Sequence, residues 1–178
     1  SPYSFYQFWM NIDDRDVVRY LKCFTLLSPD EIEGYEDELA DRPHEHAGQL
    51  ALAEDVTRRV HGEDGLESAQ RATAVLFGEE ITGLGADEIA DVFSDVPSIE
   101  IPQREFEGDG LGVLDLFCRA GVNVSRGEAR RVIEGGGAYV NNVRIQDVEA
   151  TVRFSDAVDG RFIVLRKGKK QYHLVRLL

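Results

Sequence analysis

"NVSRGEARRVIEGGGAYVNNVRI", residues 123–145, changes its period halfway along. Before the break, Ala129, Val132 and Ile133 recur at helical spacing. Ser125 stands at the N-cap, with Glu128 three residues on, the signature of a capping box. Gly135, Gly136 and Gly137 then end the helix sharply. After them, "AYVNNVRI" (138–145) reads as a tight hairpin, because Asn141-Asn142 can take the two positive φ values of a two-residue turn. Arg126 and Arg130 lie four apart and share one helix face, with Arg131 beside them. The stretch therefore predicts a capped helix with a cationic face, followed by antiparallel strands.

On its C-terminal side, "RFIVLRKGKKQYHLVRLL" (161–178) predicts a second hairpin, with Phe162, Val164, Tyr172 and Leu174 apolar around a KGK tip. On its N-terminal side, Leu111–Ala120 predicts a short amphipathic helix that turns Val113, Leu114 and Phe117 inward and stops at Gly121. Residues 111–178 thus form a small domain of two helices against an antiparallel sheet. "VPSIEIPQREFEGDGLG" (96–112) has two prolines, three glycines and no long period, so residues 97–110 read as a linker, with a short strand at Ile99 and Ile101.

Residues 1–96 are helix after helix. Ser1-Pro2 is a cap followed by proline at the first helical position, and Ser28-Pro29 repeats it with Glu31 completing a capping box. Val17, Leu21 and Phe24 mark one helix, and Asp14 and Asp16 sit at its positive end. Pro43 opens another that Gly62 stops, and 63–77 and 86–94 supply two more. The fold class is mainly α followed by α+β: a helical bundle (1–96), a linker (97–110) and a small sheet-and-helix domain (111–178).

The 178 residues carry a net charge of −13, and no apolar run is long enough to span a membrane. That charge alone argues against a nucleic-acid partner, but its distribution argues for one. Residues 1–110 hold 8 Lys+Arg against 26 Asp+Glu, whereas residues 111–178 hold 12 against 7. Of four lysines, Lys167, Lys169 and Lys170 fall at the last hairpin tip. A helix with exposed arginines and a tip with four cations, Arg166 included, both suit phosphate oxygens. The 16 Arg to 4 Lys under an acidic excess also points to a surface adapted to concentrated salt. Cys23 and Cys118 read as free thiols in a reducing cytosol.

Other patterns carry no chemistry. His44 and His46 of "HEH" are two apart and do not share a helix face, so no metal site is expected; "GDGLG" lacks the lysine and hydroxyl residue of a phosphate loop. No nucleophile–base set stands out, and no catalytic residue or cofactor is expected within the chain. The charge pattern leaves two other readings beside it: the RNA-binding module of an RNA-modifying enzyme, and an acidic protein-interaction module.

"SPYSFYQFWMNIDDRDVVRYLKCFTLLSPDEIE", "LAEDVTRRVHGEDGLESAQRATAVLF" and "DVPS" resemble the helical segment that follows the catalytic domain in bacterial tyrosyl-tRNA synthetases. "SRGEARRVIEGGGAYVNNVRIQD" is similar to the RNA-binding motif of small-subunit ribosomal protein four, and "GRFIVLRKGKKQYHLVR" to this synthetase family's C-terminus. The resemblance runs over essentially the whole chain. It implies the C-terminal, anticodon-binding and RNA-binding portion of a class I ligase that activates tyrosine with ATP, and a chain cut from something longer. The adenylate-forming motifs are not in the sequence, so ATP belongs to a catalytic domain outside it.

The resemblance further implies tRNA(Tyr) as partner, gripped at the anticodon region and the long variable arm, and neither DNA nor membrane. A cytoplasmic protein that dimerises through the catalytic domain is implied, with this portion alone a monomer. Arg166, Lys167, Lys169 and Lys170 match the family's tRNA-contacting cluster, and Arg126, Arg130, Arg131 and Arg144 extend it. Asp14 and Asp16 lie near where an anticodon base is read. At Gly127 and Gly135–Gly137 the sequence departs from the Lys, Gln or Asn that other members carry, which thins the basic face.

Overall fold

The computed structural model describes all 178 residues. Contacts divide the chain into two compact units, Ser1–Arg71 and Ala72–Leu178.

The first unit is helical. Ser1 accepts from the Ser4 N–H at the start of α1 (Pro2–Met10). Asp13 caps α2 (Asp14–Phe24) by accepting from the Arg15 N–H. The Ser28–Glu31 box is complete at α3 (Pro29–Asp41), each residue binding the other's backbone N–H. α4 (Ala47–Leu76) is one helix broken at Gly62, whose φ of 76° and ψ of 178° are non-helical, where the sequence places a stop. Its start runs close to α2: a Cβ on Gly48 would lie 2.6 Å from Val17 Cγ1. Tyr6, Trp9, Val17, Leu21, Ile32, Leu52 and Val56 form the core between these helices.

The second unit begins inside α4 and continues through α5 (Ala86–Val92). The expected division at 96/97 is not where the contacts part. Residues 97–110, read as a linker, hold β1 (Ser98–Ile101), which pairs in parallel with the far end of the chain, and Phe106, which is 1% exposed in the core. Two prolines mimic a linker in the sequence, yet they flank a strand. β2 (Leu111–Gly112), α6 (Val113–Arg119) and α7 (Arg126–Glu134) follow. Next come β3 (Ala138–Val140), β4 (Val143–Ile145), β5 (Thr151–Val152), β6 (Phe162–Lys167) and β7 (Gln171–Leu177).

The main sheet has the order β1-β7-β6-β3-β4, and β2 pairs with β5 separately. It is therefore mixed, because parallel β1 joins strands that are otherwise antiparallel. Asn141 and Asn142 make the expected turn between β3 and β4, with φ of 49° and 62°. Ile163, Leu165 and Val175 meet Phe117, Ala129 and Ile133 of α6 and α7 in one core. Val164, Tyr172 and Leu174 point to the other face and are also buried, Tyr172 against Phe93 with ring centroids 5.2 Å apart. Both faces of β6 and β7 are covered, which suits the unbroken apolar run Phe162–Leu165 of β6.

Candidate nucleic-acid interface

Strand alternation sends the cations of the final hairpin in different directions. Lys167 lies on the α6–α7 side, where its Nζ donates to Glu128 Oε1 at 2.7 Å. Glu128 also accepts from the Val124 N–H at 3.1 Å. The box at the start of α7 is thus displaced by one residue: Ser125 caps the Glu128 N–H as expected, but the glutamate reaches back to Val124. The Lys167 hydrogen bond, more than the backbone one, holds the Glu128 carboxyl down to about 2, so the bridge persists throughout the neutral range. It ties the hairpin to the first turn of the arginine-bearing helix.

Arg126, Arg130 and Arg131 are exposed on α7. Arg126 faces Asp115 at 3.3 Å, and Arg130 lies 3.8 Å from both Glu134 and Glu149. Exposed pairs of this kind contribute about 0–1 kcal/mol, so a phosphate can displace the carboxylate at little cost. Lys169 and Lys170 are exposed in the hairpin loop, with no carboxylate partner.

Arg166 occupies the opposite face and is 7% exposed. Its Nε donates to Asn142 Oδ1 at 2.8 Å, its Nη1 to the Gly168 carbonyl at 2.9 Å, and its guanidinium stacks 3.7 Å from the Tyr139 ring. Strand register explains the stack: Tyr139 is paired with Arg144 on β4 and with Arg166 on β6, and Arg166 with Tyr172 on β7. Arg144 donates to the Tyr139 hydroxyl at 3.0 Å, and this bond holds the phenol below its ordinary value. Arginine and tyrosine thus alternate across four strands. Sequence reasoning missed Tyr139, although the Asn141-Asn142 turn sets it opposite Arg144.

The eight cations therefore form two groups rather than one. Arg126, Arg130, Arg131 and Lys167 lie on the helix side; Arg144 and Arg166 lie on the other side of the sheet, around Tyr139. Lys169 and Lys170 stand at the tip between them.

In the first unit, Asp14 accepts from Gln49 Nε2 at 2.6 Å and is committed to that contact. Asp16 instead lines a cleft with Phe8, Asn11 and Tyr20. The ring of Phe8 is largely exposed there.

A helical unit is thus followed by a small mixed-sheet unit with clustered cations. Residues 1–78 match the family described as tRNA synthetases class I (W and Y), and residues 88–175 match the tyrosine–tRNA ligase SYY-like C-terminal domain. The tyrosine–tRNA ligase of Roseiflexus castenholzii is 50% identical over 100% of this chain and 42% of its own length. That of Geobacillus stearothermophilus is 48% identical over 99% of this chain and 41% of its own. A solution structure of a tyrosyl-tRNA synthetase C-terminal domain is 39% identical, covering 58% of this chain and 99% of that one, with a TM-score of 0.45. The chain belongs to the bacterial tyrosine–tRNA ligase family, of which it is the C-terminal portion, and it spans about two-fifths of the length of those relatives.

Proposed function

We propose that this chain recognises tRNA(Tyr) for a ligase that joins tyrosine to that tRNA at the expense of ATP. The ATP site and the chemistry lie in the catalytic portion outside this chain. The parent enzyme is a cytoplasmic homodimer paired through that portion, and the chain alone is a monomer. Neither DNA nor membrane is a partner.

The observation that carries the reading is the Lys167–Glu128 bridge, which joins the arginine face of α7 to the hairpin tip as one cationic surface in an otherwise acidic protein. Lys169 and Lys170, free of carboxylates, supply its least encumbered charges. Arg126, Arg130 and Arg131 extend it along the helix, where planar guanidinium forks match phosphate oxygens. Asp16, beside Phe8 and Tyr20, is the better anticodon candidate, because Asp14 is held by Gln49. A splayed base could stack there and donate to the carboxylate.

Titration with tyrosine tRNA, against a tRNA with a short variable arm, tests the proposal. Selective binding of tyrosine tRNA is expected. Equal, weak binding of both would reduce the chain to a generic RNA module, and no binding of either would remove the proposal.

A further inference from the structure

The sheet face turned away from α6 and α7 carries a cavity that shares only the tip lysines with the phosphate surface. This cavity, of about 540 Å3, opens beside the hairpin tip. Phe77, Val96 and Tyr172 give it an apolar wall, and Arg166, Lys169 and Lys170 give it a cationic side. Its volume falls within the about 300–1,000 Å3 usual for small-ligand sites.

Two observations point to an occupant. The first is Arg166, a buried guanidinium with neutral partners only: Asn142, the Gly168 carbonyl and the Tyr139 ring. It forms no ion pair, and neither do Lys169 and Lys170, although the chain carries 33 acidic residues. Buried charge is costly without a counter-ion, and here the counter-ion is left to come from outside.

The second is Phe77, which is 86% exposed at the cavity edge. It follows the last residue of α4, and that helix end is firmly held. Tyr172 Oη donates to the carbonyls of Val75 and Leu76 at 3.1 and 3.3 Å, and Asn142 Nδ2 donates to those of Val75 and Glu79, both at 2.8 Å. The ring is presented by a fixed corner, with nothing covering it.

We propose that this cavity holds one unstacked nucleotide of the bound RNA, its base against Phe77 and its phosphate toward Arg166, Lys169 and Lys170. The inference rests on the RNA-binding reading above and adds a second contact, on the other face of the sheet. The lining offers no carboxylate or amide side chain to read a base edge, so the pocket takes any base, as stacking platforms do.

The test uses the full chain with tyrosine tRNA, with a single-stranded hexauridylate and with free 5′-AMP. Phe77→Ala should weaken binding of both RNAs roughly 5- to 150-fold, the range for losing one stacked base, and leave the dependence on salt unchanged. Phe77→Trp should retain wild-type affinity. Lys169→Ala combined with Lys170→Ala should instead flatten the log–log salt slope by about 0.7, one phosphate fewer neutralised. Because Phe77 is exposed, circular dichroism should show both variants folded. Full affinity in Phe77→Ala, with a flattened slope in the lysine variant, would overturn the cavity proposal and leave the RNA reading standing. Failure of the wild type to bind either RNA would remove both. Free 5′-AMP is expected to bind only at millimolar strength and to be displaced by tRNA. Micromolar binding that tRNA does not displace would assign the cavity to a free nucleotide and overturn the proposal.

Discussion

The imidazole of His173 is buried beneath the hairpin, with Nδ1 3.0 Å from the Ala120 carbonyl oxygen. That contact requires a proton on Nδ1, which leaves Nε2 free to meet the Gln171 amide at 3.4 Å. Burial, more than the nearby Lys167 charge, holds the imidazole below its ordinary value, against the opposing effect of the Ala120 carbonyl. The unfolded chain therefore takes up a proton before the folded one does. Stability is full above the ordinary histidine value of about 6.5 and declines as pH falls through it toward the lower folded value. Thermal unfolding followed between about pH 7 and pH 5 should show this loss in the wild type. In His173→Gln, whose amide can still donate to Ala120, the slope should be absent. An equal slope in both proteins would place the titration elsewhere.

The contact between α7 and the final hairpin works as a unit. Glu128 restrains Lys167 in the free protein, and in doing so it competes with any phosphate for the same ammonium group. Glu128→Gln keeps an acceptor for the Val124 N–H but removes the charge. It should raise RNA affinity at low salt and steepen the log–log salt slope by about 0.7, one further phosphate neutralised. Filter binding across a salt series measures both; an unchanged slope would mean that Lys167 does not reach phosphate.

These elements also show how far a sequence can be read. Caps are local, so Ser28 with Glu31 and Ser125 with the Glu128 N–H were legible from spacing alone. So was the Asn141-Asn142 turn, which needs only two residues that tolerate positive φ. The pairing of β1 with β7 was not, because Ile99 meets Val175 from the other end of the unit. Nor was the burial of Arg166. A hairpin tip rich in charge reads as solvated, and only the register that places Tyr139 and Tyr172 on either side of Arg166 shows otherwise.

Across the whole molecule, charge is patterned by surface rather than by unit. Residues 1–71 hold 7 Lys+Arg against 16 Asp+Glu, and residues 72–178 hold 13 against 17, so even the unit with the cationic face is net acidic. Salt should therefore act in two opposed ways. Carboxylates crowded on the helical unit repel one another over the about 10 Å Debye length of 0.1 M salt, and much less over the about 3 Å of 1 M. Screening them should raise the melting temperature as KCl increases. Over the same range, RNA held through about four phosphates should lose on the order of a thousandfold in affinity. A protein that works in concentrated salt must then draw the remaining affinity from contacts that salt does not screen, such as stacked and splayed bases. Calorimetry and tRNA binding, measured side by side from low to molar KCl, separate the two effects. The expected outcome is a rising melting temperature with a falling affinity that levels off at the unscreened share. A melting temperature indifferent to KCl would remove the salt-adapted reading of the acidic surface, and an affinity that fell without levelling would leave the phosphates as the whole of the interface.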